Sequence, residues 1–259
     1  MFAKYKIHID EVRKMNKSFS LQQHIKSSLS EDNFNLLLEN ENGIIDGEIL
    51  KTEYFPTRLK KKYNVFISHS HRDIKEIEHF AKILEDKYGV HCFVDSMIWK
   101  NIADLQYSID NTYSRNIDGK LDYTLVRQST AHIHSLLSIA LFEMIDQCEC
   151  CIFVQSDNSL RMDFNDTTTL SPWIYEEIYY MNHTKRILPN RICSLKLFSE
   201  LNESRRTEAY IKMTHMVDLS DFKDLCNFLP QNALKSEKFL NHLYWKSGIV
   251  DCNINTIDN

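Results

Sequence analysis

The stretch YNVFISHSHRDIKEIEHFAKILEDKYGVHCFVD, residues 63–95, decides the fold. Its first five residues, Tyr63 to Ile67, are β-branched and aromatic with little alternation, the pattern of a strand covered on both faces. After the polar HSHRD, the residues Ile74, Ile77, Ala81, Leu84 and Tyr88 recur at steps of three and four. That spacing makes one apolar stripe of a helix, and Gly89 stands where such a helix stops. VHCFVD, residues 90–95, is a second strand that follows almost at once. Strand, helix and strand with tight connections predict a right-handed crossover in a parallel sheet.

Downstream, Ser96 to Gln128 is polar and tyrosine-rich, with Gly119 its only glycine, and carries no assignable pattern. Between Ala131 and Asp146 apolar residues lie nearly all round, which predicts a buried helix, and CCIFVQS, residues 150–156, is a third strand. In SPWIYEEIYYMNH, residues 171–183, Ser171 suits an N-cap and Pro172 the first helical position. Glu176 and Glu177 then fall in the early turns, near the positive end of the helix dipole. Residues 186–198 predict a further strand and 214–222 another, with Ser220 capping a helix that starts near Asp221; a last amphipathic helix runs from about Glu237 to Trp245.

Upstream, residues 1 to about 57 are polar and weakly periodic, with a helical pattern from Phe19 to Leu38 and an end at Pro56. The expected architecture is therefore α/β, a flavodoxin-like doubly wound parallel sheet over residues 58–230. A helical N-terminal extension and linker over 1–57 precede it, and a C-terminal helix and tail over 231–259 follow.

The 259 residues are 43% hydrophobic, ordinary for a chain that folds around a core. A formal net charge of −5 argues against charge-driven nucleic-acid binding, which needs a basic face; the run Arg58, Lys60, Lys61 and Lys62 reads as a solvated linker. No run of about 18 apolar residues and no secretory pattern is present, so a cytoplasmic protein without a membrane partner is expected. The seven cysteines are odd in number, and reduced thiols are expected. Cys148, Cys150 and Cys151 are close together, but a strand throws Cys150 and Cys151 to opposite faces, and no second CxxC or spaced His pair completes four ligands. No metal is expected. Neither a Walker lysine motif nor GxGxxG occurs.

In a doubly wound sheet, ligands lie beyond the carboxyl ends of the strands. The loop after the first predicted strand supplies Ser68, His69, Ser70, His71, Arg72 and Asp73; the second supplies Asp95; the third supplies Ser156, Asp157, Asn158 and Ser159. Ser and His donors beside a helix N-terminus can hold a phosphate without a glycine-rich loop.

VFISHSHRD, the following amphipathic helix, HCFVD, a buried helix, CIFVQS and SPWIYEEI together resemble a Toll/interleukin-1 receptor (TIR) domain in its bacterial form. The resemblance covers roughly residues 61 to 200, and Trp173-x-x-x-Glu177 matches the WxxxE signature of that family. It implies that Glu177, not Glu176, is catalytic in cleaving NAD+ between nicotinamide and ribose, with NAD+ a substrate and no cofactor. It also implies a homo-oligomer and a setting in antiphage immunity of the Thoeris-like kind, where the nucleotide product signals to a partner effector protein. Trp99 matches a tryptophan of bacterial members and would stack on a base or on nicotinamide. The sequence departs from the family after Asp95, where the usual glycine- or proline-containing loop is missing.

The residues support the same assignment physically. Loss of nicotinamide leaves an oxocarbenium-like ribosyl centre that a carboxylate stabilises. Trp173 and Glu177 share a helix face, whereas Glu176 lies about 100° round. Trp173 itself reads as a packing residue that fixes the helix. His69 and His71 either contact the pyrophosphate or cap the helix, and Asp95 either faces the ligand or forms a turn. Two other function classes fit the sequence. One is a non-catalytic TIR interaction module acting by association; the other is a nucleotide-binding protein of flavodoxin-like topology using the same strand ends.

Overall fold

The computed structural model describes residues 1–19, 45–99, 101–163, 166–189, 191–192 and 214–250. Its strands are β1 (Ala3–His8), β2 (Val65–Ser68), β3 (Cys92–Phe93), β4 (Cys150–Gln155), β5 (Arg161–Asp163), β6 (Asp166–Thr169), β7 (His215–Met216) and β8 (Lys223–Asp224). Its helices are α1 (Ile9–Ser18), α2 (Gly47–Tyr54), α3 (Ile74–Tyr88), α4 (Asp95–Ile98), α5 (Ile102–Tyr113), α6 (Tyr123–Gln147), α7 (Pro172–His183) and α8 (Glu237–Lys246). The chain divides into two units, one of Met1–Ser20, Tyr63–Val94 and Ile145–Asn259, the other of Leu21–Lys62 and Asp95–Met144.

The first unit holds a five-stranded sheet in the order β3-β2-β4-β1-β8, every pair parallel. Alternation along the strands builds two different faces. Tyr5 and Ile7 of β1, Val65 and Ile67 of β2, and Cys150, Ile152 and Val154 of β4 join Ile77, Phe80 and Leu84 of α3 and Phe239, Leu240 and Leu243 of α8 in one apolar core. Each such side chain contributes roughly 1.5–3 kcal/mol by leaving water. Tyr88 stacks on Phe239 with ring centroids 4.2 Å apart, which ties the C-terminal helix to α3. On the other face, Lys4 of β1 and Ser68 of β2 reach α7: Lys4 donates to Asn182 Oδ1 at 2.5 Å, and Ser68 donates to Glu177.

Local signals behave as the sequence predicts. Gly89 ends α3 at φ +64°, its N–H donating to Glu85 O at 2.8 Å. Only a residue without Cβ takes that left-handed conformation at no cost. Ser171 caps α7 by accepting from Ile174 N, with Pro172 in the first turn. The β2–α3–β3 unit is parallel as expected.

The N-terminus departs from expectation. Residues 3–8 are no part of a helical extension: β1 lies inside the sheet, paired with β4 over six residues and with β8 on its other side. The hydrophobic residues of AKYKIH alternate with lysines, and Lys4 is nonetheless 4% exposed, so the lysines conceal a central strand. The helical pattern from Phe19 to Leu38 lies outside the described residues after Phe19. Divisions at 57 and 230 do not follow the two units, both of which are discontinuous in sequence.

Other boundaries change as well. Residues 186–189 form no strand, and 193–198 lie outside the described residues. Of 214–222 only His215–Met216 is strand, and it joins β5 and β6 in a small antiparallel sheet. No helix starts near Asp221; a turn, β8 and a single 3-10 turn, Leu225–Asn227, capped by Asp224, stand there instead. The final helix matches, extending to Lys246.

The second unit contains α2, α4, α5 and most of α6. The stretch without a readable pattern is helical over α4 and α5, and α6 begins at Tyr123, earlier than its apolar run suggests. Asp110 fastens α5 to α6, accepting from Gln106 Nε2 at 2.7 Å, Ser114 Oγ at 2.9 Å and Ser129 Oγ at 2.5 Å.

Candidate functional site

From β2 the chain goes outward to β3, and from β4 the next strand of the sheet is β8, at the opposite edge. The carboxyl ends of β2 and β4 are therefore the switch point of the sheet, the place at which open α/β sheets bind their ligands. The polar residues of SHSHRD and of SDNS stand at those two ends.

Ser68 is the last residue of β2 and has no exposed surface; its hydroxyl donates to Glu177 Oε2 at 2.5 Å. A hydroxyl donating to a carboxylate makes a short, charge-assisted bond. Glu177 is 4% exposed on the inner side of α7, whereas Glu176, about 100° round, is half-buried. Trp173, one turn before Glu177, is also half-buried.

His69 is buried, and its Nδ1 lies 3.3 Å from Ile67 O. A carbonyl only accepts, so Nδ1 is the donor in that contact. The exposed His71 ring sits 5.9 Å from that of His69. Ser70 caps the 3-10 turn His71–Asp73 through Arg72 N.

Asp73 closes this loop onto the other strand end. Its carboxylate is buried and accepts from Ser156 Oγ at 2.5 Å and Asn158 Nδ2 at 2.7 Å. Thr169 and Ser159 add a link that the sequence does not announce, Thr169 Oγ1 donating to Ser159 O at 2.8 Å. The one local sign is a threonine two residues before a Ser-Pro helix start.

The structure thus brings Ser68, His69, Ser70, His71, Trp173 and Glu177 into one unit. Asp95 and Trp99 belong to the other. Asp95 opens α4, its carbonyl accepting from Trp99 N at 2.8 Å. Trp99 is buried, its indole N–H donating to Pro56 O at 3.1 Å and its ring edge-on to Phe55. Those contacts are packing contacts and lend no support to a stacking role.

Cys150 and Cys151 do point to opposite faces, Cys150 into the apolar core and Cys151 toward the α7 side. Burial pushes the Cys151 thiol well above its ordinary range, with Cys148 and Glu177 adding to the shift, so it stays protonated and unreactive. Among the described residues no group of three or more His, Cys, Asp or Glu is placed to hold a metal, and no helix is long and apolar enough to cross a membrane.

Fold and site define an α/β protein whose five-stranded parallel sheet, flanked by helices, carries a buried serine–glutamate pair at its carboxyl edge. The chain matches no family model, no curated protein and no solved structure.

Proposed function

We propose that this protein is a cytoplasmic TIR-type enzyme that cleaves the bond between nicotinamide and ribose in NAD+, with Glu177 as its catalytic carboxylate. The observation that carries the reading is the Ser68–Glu177 bond, which holds a buried carboxylate at the switch point of a parallel sheet. The C1′–N bond breaks with its electron pair leaving on nicotinamide. The carboxylate stabilises the cationic ribosyl centre and holds the ribose hydroxyls, strongly so because little water screens it there. Capture by water gives ADP-ribose and a proton; capture by a group of the same nucleotide gives a cyclised product. Ser70, His69 and His71 are the residues for the pyrophosphate. The product would signal to an effector protein, as the family resemblance implies.

One observation favours a second reading, a TIR interaction module without catalysis: Glu177 is 4% exposed and its Ser68 partner is fully buried, as in a purely structural pin. NAD+ turnover by concentrated protein, with products resolved by mass, separates the two. Nicotinamide release lost in Glu177→Ala and kept in Glu176→Ala supports the enzyme; no release from wild type favours the module.

A further inference from the structure

We propose that Asp73 is a positioning residue for Glu177, acting through a closed ring of hydrogen bonds around the switch point; its kinetic side rests on the NAD+-cleaving reading above. The ring starts at Asp73, which holds Ser156 Oγ at 2.5 Å and Asn158 Nδ2 at 2.7 Å. Ser156 and Ser159 lock the turn after β4, Ser156 N donating to Ser159 Oγ at 2.8 Å and Ser159 N to Ser156 Oγ at 3.2 Å. Ser159 O then accepts from Thr169 Oγ1 at 2.8 Å, and Thr169 Oγ1 accepts from Ser171 N at 3.1 Å. Ser171 caps α7 through Ile174 N at 3.3 Å, and that helix returns Glu177 to Ser68, five residues before Asp73.

The chemistry of the ring explains why a hydrogen-bond acceptor is needed at 73. Ser156 Oγ already accepts two backbone N–H groups, from Asn158 and Ser159, each at 3.2 Å. A hydroxyl has two lone pairs, so this one can only donate to its remaining partner. The group at 73 must therefore accept from Ser156, and its second oxygen accepts from Asn158. Asp73→Ala removes both acceptor oxygens and cuts the ring, and Thr169→Val cuts it again at a distant point.

The test measures NAD+ cleavage by wild type, Asp73→Ala, Thr169→Val and the double variant, beside amide hydrogen exchange of Ser171–Ile178 and of β4. Each single variant should lower kcat about 10- to 100-fold, the cost of a misplacement near 1 Å, with KM within about twofold. The double variant should be no worse than the poorer single, because both cut one ring. Exchange of Ser171–Ile178 should quicken about tenfold or more while β4 keeps its protection. Unchanged kcat, a multiplicative double variant, or unchanged exchange at α7 overturns the proposal. If wild type releases no nicotinamide, the enzymatic reading fails separately, and the exchange result alone decides whether Asp73 positions α7.

Discussion

The Ser68 hydroxyl donates to the Glu177 carboxylate at 2.5 Å across 109 residues of sequence. That contact fastens the end of a central strand to a helix from the far half of the chain.

Removing Ser68 takes a donor from a buried acceptor. Ser68→Ala should lower stability by about 1–3 kcal/mol, the cost of depriving a buried charged group of a hydrogen bond. Glu177→Gln keeps an acceptor oxygen and should cost less. Urea unfolding midpoints at constant slope measure both; equal stability of Ser68→Ala and wild type would mean that the bond contributes nothing net.

Lys4 makes stability depend on pH. Its burial lowers its pKa from 10.5, opposed by the nearby Asp221 carboxylate at 3.5 Å. Below the lowered value both folded and unfolded chains hold the proton and the folded state carries the full desolvation cost. Between that value and 10.5 the unfolded chain binds more protons, so this residue's contribution to stability rises with pH. Lys4→Met should remove the rise. The stability difference between wild type and variant, followed from neutral pH to about 10.5, should drift in favour of wild type; a constant difference would contradict this account.

Strand β1 is central, so its core residues should be expensive to lose. Tyr5 has no exposed surface and its hydroxyl meets Ser247 Oγ at 3.0 Å. Tyr5→Ala should cost about 3–5 kcal/mol and Tyr5→Phe about 1 kcal/mol. Deleting residues 3–8 should abolish the cooperative unfolding transition of the first unit, whereas a dispensable appendage would leave it intact.

Gly89 takes φ +64°, and a Cβ there would lie 3.2 Å from Ser236 Oγ. Gly89→Ala should cost about 1–2 kcal/mol from the left-handed backbone alone. A thermal melt showing no loss would mean that the turn relaxes into another conformation.

The placement of much of the candidate site was legible because its residues lie next to strand ends and helix starts. YNVFIS, the SHSHRD loop and the Ser-Pro start of α7 each depend on neighbours within about four positions. Helical spacing sets Glu177 and Glu176 about 100° apart, and Glu177 is the buried one; its choice as a catalytic candidate comes from the family resemblance. Trp99 shows the limit. Nothing local distinguishes an aromatic ring that packs on Phe55 from one offered to a ligand.

Sequence by itself determined the parallel β2–α3–β3 unit, the β4 strand, the α7 cap and the final helix, because short-range periodicity and capping chemistry specify them. Only the tertiary structure decided that β1 enters the sheet between β4 and β8, and that Asp73, Ser156, Thr169 and Ser171 close a ring. The physical reason is distance along the chain. Lys4 reads as a surface residue until Asn182, 178 residues away, supplies the acceptor at 2.5 Å that accompanies its burial.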